Sequence, residues 1–173
     1  MSEETPLHVT EAIVWTDGAA RGNPGPAGAG AVIKTRDGNI LAEVTEYLGT
    51  TTNNVAEYKA LLLGLERALE LGVRRLEVRA DSELLIKQLR GEYRVRHYGL
   101  KPLYEAAKQL LGKFERFELN HVRRELNSEA DRLANRGIDG STSAVEADAQ
   151  PGSTTDSAEP ESDAVSVSKS SDR

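Results

Sequence analysis

The order in which strand-like and helix-like patterns follow one another constrains the fold of this chain more than any other feature. Three strand patterns come first, and helices and strands then alternate. The predicted strands cover about residues 9–17, 28–35, 40–48, 74–80 and 114–122, and the predicted helices about residues 54–71, 82–91, 100–112 and 128–138. The dipeptide Asp37-Gly38 predicts a hairpin turn into the third strand. Glycines are expected to end three of the helices: Gly72 the first, Gly91 the second, and Gly137 with Gly140 the last. Three strands joined by hairpins, followed by strands that helices separate, predict one mixed α/β sheet with helices packed on it.

Four acidic residues stand at the ends of predicted strands or at the starts of predicted helices. Asp17 ends the first strand and Asp81 ends the fourth. Glu57 and Asp131 fall in the first turns of the long helix and of the last helix. Sites in sheets of this kind lie at strand ends, so the four carboxylates are expected to converge. Converging carboxylates repel one another and need a cation, and a set without His or Cys favours magnesium or manganese over zinc.

Each of these acids also has a purely local explanation. Asp17 could begin the Gly/Pro turn that follows it, and Asp81 could cap the next helix. Glu57 could be an acid that the helix dipole favours. Asp131 could complete a capping box with Ser128. The residues taken one at a time therefore do not decide between a structural and a chemical role.

The two ends of the chain differ in composition from the middle. Residues 1–8 are predicted to be a flexible N-terminus, and residues 9–140 form one folded domain. Residues 141–173 are rich in Ser, Thr, Asp and Glu and hold nearly all of the chain's net charge of -6, so a disordered acidic tail is predicted. The chain has no cysteine, and neither a secretory signal nor an apolar run that could span a bilayer is visible. A cytoplasmic protein without membrane partners is expected.

Four motifs in this order resemble type 1 ribonuclease H, over nearly all of residues 9–138. They are "TDGAARGNPGPAGAG", "TTNNVAEYKALLLGLERAL", "VRADSELLIKQL" and "NSEADRLAN". The resemblance implies a ribonuclease H-like fold: a five-stranded sheet in the order 3-2-1-4-5, with strand 2 antiparallel to the rest. The implied catalytic and metal-binding residues are Asp17, Glu57, Asp81 and Asp131.

The resemblance also implies a reaction. The expected enzyme is an endoribonuclease that hydrolyses the RNA strand of RNA/DNA hybrids and leaves 5′-phosphate and 3′-hydroxyl ends. Two Mg²⁺ ions, or Mn²⁺ in their place, would flank one phosphate, with Asp17 between them. A monomer without a small-molecule cofactor is expected.

Contacts to the substrate are implied in two places. Asn23, in the Gly/Pro loop, resembles a residue that meets the 2′-hydroxyls of the RNA strand. Thr52, Asn53 and Asn54 resemble residues that hold the hybrid, partly through its DNA strand, although Asn54 could equally be a plain helix N-cap. The Gly/Pro loop leads into another strand, which favours a hairpin over a phosphate-binding loop.

Two departures from the family pattern concern the last third of the chain. Many members carry a mobile His before the last helix. Here Glu125 falls at or near that position, whereas His121 belongs to the preceding strand. The Lys/Trp-rich protrusion of better-known bacterial members is replaced by the shorter "LRGEYRVRHYGLK". Arg94 and Arg96 in this segment are predicted to form a reduced basic surface for the substrate backbone, in a compact form of the family.

Other classes of protein are also compatible with this order of elements and with these acids. Integrases, Holliday-junction resolvases and Argonaute-type slicers share the sheet and its acids, but usually have larger accessory regions. The main alternative that is not an enzyme is a module that binds RNA/DNA hybrids without cutting them. Four acids argue against such a module, because a binder gains nothing from their mutual repulsion.

Overall fold

The computed structural model of the chain describes residues 9–149, with only the backbone for residues 141–149. The predictions made for residues 1–8 and 150–173 lie outside the described residues. The strands are β1 (Glu11–Ala20), β2 (Gly25–Lys34), β3 (Ile40–Thr51), β4 (Arg75–Ala80) and β5 (Arg116–His121). The helices are α1 (Asn53–Glu70), α2 (Glu83–Leu89), α3 (Lys101–Leu111) and α4 (Ser128–Ala149), and a 3₁₀ turn, Arg124–Leu126, precedes α4.

The five strands form one mixed sheet in the order β3-β2-β1-β4-β5. β2 pairs antiparallel with both β1 and β3, whereas β1 pairs parallel with β4, and β4 with β5. This topology confirms the predicted strand order and the antiparallel second strand. The Gly/Pro loop between β1 and β2 closes a hairpin, in which Arg21 N–H donates to the Pro26 carbonyl at 2.8 Å.

The main core lies between the sheet and α1. Val14 and Val78, on adjacent strands, are fully buried together with Leu61 and Leu65 of α1. Gly64 lets the helix approach closely, because a Cβ at this position would lie 3.0 Å from the Val14 side chain. The carboxyl ends of β1 and β4 therefore hold a fixed position relative to the start of α1. None of the helices in the described part of the chain is both long and apolar enough to cross a membrane.

The last helix is longer than the sequence predicted. Gly137 and Gly140 were expected to end it near Ile138, but α4 continues to Ala149, so that prediction was wrong. A glycine ends a helix when it takes up a positive φ, as Gly72 and Gly91 do after α1 and α2. Gly137 instead allows a close approach, because a Cβ there would lie 2.5 Å from the Glu46 carbonyl oxygen of β3. The part of the predicted tail at residues 141–149 is thus helical.

Candidate active site

Asp17 lies inside β1 and not at its end. β1 continues to Ala20, and Asp17 pairs with Gly30 of β2, so the prediction that the strand stops at Asp17 was wrong. The parallel pairing of β1 with β4, however, stops one residue earlier, at Thr16 opposite Ala80. Asp17 therefore stands at the point where β1 and β4 separate, with only 6% of its surface exposed.

Asp81 follows β4 directly and does not cap the next helix. Ser82 is the N-cap of α2 and accepts a hydrogen bond from the Leu85 N–H at 3.2 Å. The Asp81 carboxylate instead accepts a hydrogen bond from Asn127 Nδ2 at 3.1 Å. The local explanation for Asp81 is thereby removed, and its side chain lies close to that of Asp17.

Glu57 lies one turn inside α1, because the helix begins at Asn53 and has no acid in its first turn. The helix-dipole explanation for Glu57 therefore loses its basis. Its carboxylate faces β1, where the Gly18 N–H donates to Glu57 Oε1 at 3.3 Å. A Cβ on Gly18 would overlap the backbone of Ala56 and Glu57, so glycine at this position allows α1 to bring Glu57 against the strand.

Three of the four predicted acids converge on one point. The ligand oxygens of Asp17, Glu57 and Asp81 all lie within 4.8 Å of one another. Asp131, near the start of α4, is outside this group, although it lines the same cleft and its charge contributes to the raised pKa of Asp17. Asn135 Nδ2, one turn further along α4, donates to the Asp131 carbonyl at 3.0 Å and contacts its carboxylate at 3.4 Å. Asp131 thus borders the cluster of three.

Burial and mutual repulsion make this acidic cluster electrostatically unfavourable. Burial is the largest cause that raises the pKa of Asp17 to about 8, and the charges of Asp81 and Asp131 add to it. Burial likewise raises the pKa of Glu57 well above its usual range, followed by repulsion from Asp17 and Asp81, while the Gly18 hydrogen bond opposes the shift. Carboxylates held this close are fully ionised near neutral pH only when a cation offsets their charge. Their oxygens are the hard ligands that Mg²⁺ and Mn²⁺ prefer.

The acids line an open cleft of about 400 Å³. Its other walls come from the end of β1, from Ser82, from Asn53 and Asn54 at the start of α1, and from Arg124 in the 3₁₀ turn. The sequence reasoning missed Arg124 as a cleft residue and Asn127 as a partner of Asp81. The signals in the sequence were the position of Arg124 directly before Glu125 and that of Asn127 as the first residue of the "NSEADRLAN" motif.

The amides predicted to meet the substrate are connected to each other. The Asn23 side-chain oxygen accepts the Asn53 N–H at 3.0 Å, and the Asn53 side-chain oxygen accepts the Ala20 N–H at 3.0 Å. These two bonds tie the Gly/Pro loop to the start of α1. The N-cap of α1 is Thr52, which accepts the Val55 N–H at 3.3 Å, so the alternative of Asn54 as N-cap was wrong. Asn54 is exposed in the first turn.

The remaining predicted residues lie apart from the cluster of acids. Arg94 and Arg96 are exposed on the segment between α2 and α3, on either side of the buried Val95. Glu125 is exposed in the 3₁₀ turn, where its carboxylate pairs with Arg123 at 3.4 Å. His121 lies in β5, as predicted, and is its last residue. None of these four residues is among those that line the acidic cleft.

Comparison with known sequences identifies relatives of the whole fold. The profile of a family described as reverse transcriptase-like matches residues 15–137. A bifunctional protein of Mycobacterium tuberculosis is 44% identical over 140 residues, which cover 80% of this chain and 38% of that protein. Ribonuclease HI of Halobacterium salinarum is 44% identical over 125 residues, which cover 72% of this chain and 63% of that protein. The chain thus spans less than two thirds of the length of these relatives.

Solved structures of similar proteins match over almost their full length. The N-terminal RNase H domain of the mycobacterial protein, fused to maltose-binding protein, has a TM-score of 0.72 at 43% identity, with 74% of this chain and 98% of that chain covered. The Halobacterium RNase H1 has a TM-score of 0.73 at 42% sequence identity, and the match covers 75% of this chain and 98% of that chain. LC11-RNase H1, in complex with an RNA/DNA hybrid, has a TM-score of 0.73 at 42% sequence identity, and the match covers 76% of this chain and 99% of that chain. The chain therefore belongs to the type 1 ribonuclease H family, as its motifs predicted.

Proposed function

We propose that this chain is an endoribonuclease that hydrolyses the RNA strand of RNA/DNA hybrids. The observation that carries the proposal is the convergence of Asp17, Glu57 and Asp81 from three separate elements, all within 4.8 Å. A fold gains no stability from buried acids that repel one another, so their retention supports a chemical role. A relative at 42% identity, LC11-RNase H1, forms a complex with such a hybrid, which supports the choice of substrate.

The residues of the cleft fit divalent metal ions. Asp17, Glu57 and Asp81 would hold them, with Asp131 at the border of the site, and every donor is a carboxylate oxygen. Two Mg²⁺ or Mn²⁺ ions supply, when bound, an activated water and charge stabilisation for an in-line displacement at phosphorus. The proposed products carry 5′-phosphate and 3′-hydroxyl ends. All four acids come from one chain, so the proposed site is complete in a monomer.

The protein groups around the metal-binding acids have separate roles in this proposal. Arg124 places a cation on the wall of an otherwise acidic cleft, where it would attract the phosphate next to the scissile bond. Asn23 and Asn53 use their side-chain oxygens within the protein, so their NH₂ groups remain as the donors for the substrate. Both amides would donate to acceptors in the minor groove, 2′-hydroxyls among them, which distinguish RNA from DNA.

The assay that tests the proposal compares labelled substrates in the presence of different metals. Wild-type protein is incubated with an RNA/DNA hybrid, single-stranded RNA, double-stranded RNA or duplex DNA, with Mg²⁺, Mn²⁺ or chelator. We expect internal cuts in the RNA of the hybrid, and no cuts with chelator. Tight hybrid binding without cleavage in either metal would contradict the proposal and support the non-catalytic binding module.

Asn23→Asp is expected to weaken hybrid binding while the loop keeps its shape. The substituted carboxylate can still accept the Asn53 N–H, but it cannot donate to the substrate and it repels phosphate. Loss of one such donor and the added repulsion predict a Kd about 10-fold higher. The measurement is hybrid affinity by fluorescence anisotropy in chelator, with thermal melting as the control for folding. An unchanged Kd would remove Asn23 from the substrate-binding surface.

The double variant Arg94→Ala/Arg96→Ala is expected to weaken hybrid binding and reduce its dependence on salt. Each lost phosphate contact lowers the slope of log K against log[salt] by about 0.9. The matched control is Arg67→Ala/Arg74→Ala, which removes the same charge near the far end of α1, where both arginines pair with glutamates. Equal slopes for the two double variants would show that the segment between α2 and α3 does not contact the substrate.

A further inference from the structure

Asn127 forms hydrogen bonds at or next to three of the four acids. It lies between the 3₁₀ turn and α4, with only 1% of its surface exposed. Its Nδ2 donates to the Thr16 carbonyl at 2.9 Å, directly before Asp17, and to Asp81 Oδ2 at 3.1 Å. Its own carbonyl accepts the N–H of Asp131 at 3.1 Å. One residue thus connects the end of the β1–β4 pairing, the end of β4 and the first turn of α4.

The orientation of the Asn127 amide follows from its partners. Both groups that face it, a carbonyl and a carboxylate, can only accept hydrogen bonds, so the NH₂ group must point toward them. The Asn127 Oδ1 is buried and has no hydrogen-bond partner among the described residues. An unsatisfied buried oxygen lowers the stability of the fold. Asparagine at this position is therefore explained by the hydrogen bonds that its NH₂ group donates to Thr16 and Asp81, and not by packing.

Asp81 depends on this contact. Within the described part of the chain, Asn127 is the one side chain that donates a hydrogen bond to the Asp81 carboxylate. Asp17 and Glu57 lie close enough to Asp81 to repel it, and solvent is accessible on its open side. Without the amide, the Asp81 side chain would turn toward water, because repulsion from Asp17 and Glu57 would no longer be opposed.

We propose that Asn127 is a positioning residue whose side chain holds Asp81, and holds Asp17 through the Thr16 carbonyl, in the arrangement that binds metal. This inference deepens the proposed function and rests on it for the reaction, but its effect on the carboxylates is independent of the substrate. Groups that orient metal ligands through hydrogen bonds typically contribute about 10- to 100-fold to metal affinity or activity. We therefore expect Asn127→Ala to weaken metal binding and kcat, while KM for the hybrid changes little.

The experiment pairs Asn127→Ala with a matched control, Asn120→Ala. Asn120 Nδ2 also donates to a carboxylate, Glu77 Oε2 at 2.8 Å, but neither residue lines the cleft. Calorimetry measures Mn²⁺ binding without substrate, and hybrid cleavage then gives kcat and KM. For Asn127→Ala we expect Mn²⁺ affinity and kcat to fall about 10- to 100-fold. For Asn120→Ala we expect both to stay at wild-type values.

Two results would overturn the inference. The first is a folded Asn127→Ala protein that binds Mn²⁺ and cleaves like the wild type. The second result can be obtained even if the variant fails to fold. It is a crystal structure of the wild type with bound Mn²⁺ in which Asn127 Nδ2 no longer donates to Asp81 or to the Thr16 carbonyl. Wild type that binds Mn²⁺ but cuts no nucleic acid would contradict the proposed function, and weaker Mn²⁺ binding by Asn127→Ala would still support the positioning role.

Discussion

Asp17→Asn is expected to abolish hydrolysis of an RNA/DNA hybrid. A carboxylate oxygen of Asp17 lies within 4.8 Å of those of both Glu57 and Asp81, and the charge of Asp131 also raises the pKa of Asp17. An amide keeps the size of the side chain but removes the negative charge that a divalent cation requires. Metal-ion stabilisation of a transition state is worth several kcal/mol, so the rate constant of the cleavage step is expected to fall at least about 1000-fold. The measurement is single-turnover cleavage of a labelled hybrid in saturating Mg²⁺.

Binding and a remote substitution provide the controls for this result. Asp17→Asn is expected to bind the hybrid at least as tightly as wild type, because one charge that repels phosphate is gone. Asp37→Asn makes the same chemical change at an exposed position between β2 and β3, and should cleave like wild type. Cleavage by Asp17→Asn within tenfold of the wild-type rate would show that Asp17 is not a metal ligand in the reaction.

The metal-free protein is expected to lose stability as pH rises from about 5 to 8. The pKa of Asp17 is 3.8 in a model peptide and about 8 in the fold, so in this range the folded state keeps a proton that the unfolded state has lost. Stability falls with pH wherever the folded state binds more protons. A shift of this size corresponds to roughly 5 kcal/mol once Asp17 is fully ionised, and the raised pKa of Glu57 acts in the same direction.

Thermal melting in chelator measures this dependence. Between about pH 5 and 8 the loss is roughly 4 kcal/mol. For a chain of this length, 1 kcal/mol corresponds to roughly 2–4 °C in Tm, so the wild-type Tm should drop by about 8–16 °C across this range. The drop in Tm should be much smaller for Asp17→Asn. Acids outside the cluster titrate in the same way in both proteins, so their contribution to the pH dependence of Tm cancels when the two are compared. Added Mg²⁺ or Mn²⁺ should raise the wild-type Tm most at pH 8, because ligands stabilise the state that binds them. Parallel pH profiles for the two proteins would contradict the raised pKa of Asp17.

Much of the fold could be predicted from the sequence because its signals are local. The change from alternating apolar residues to a helical stripe predicted the order of strands and helices, and the Asp37-Gly38 turn predicted the β2–β3 hairpin. Gly72 and Gly91 were correctly expected to end α1 and α2, where both have a positive φ. Gly137 looked the same in the sequence, but its role depends on Glu46 of β3, which lies far from it in the chain. A glycine that ends a helix and one that permits close packing therefore cannot be distinguished without the packed neighbour.

The acids show the same division between local pattern and packing. Their motifs were sufficient to select Asp17, Glu57, Asp81 and Asp131, but several local explanations for them were open until the structure placed Ser82 and Thr52 as the helix caps. That Asp17 lies within β1, beyond the pairing with β4, depends on the lengths of both neighbouring strands.

The family, the order of the elements and the acids of the candidate site could all be predicted from the amino-acid sequence, because short motifs and periodic patterns encode them. Which oxygens converge, and which groups hold them, depends on how separate elements pack. The bond from Asn127 to the Thr16 carbonyl spans 111 residues, and the bond to Asp81 spans 46. Contacts of this kind produce no periodic pattern in the sequence, because they form only after separate elements have packed against one another.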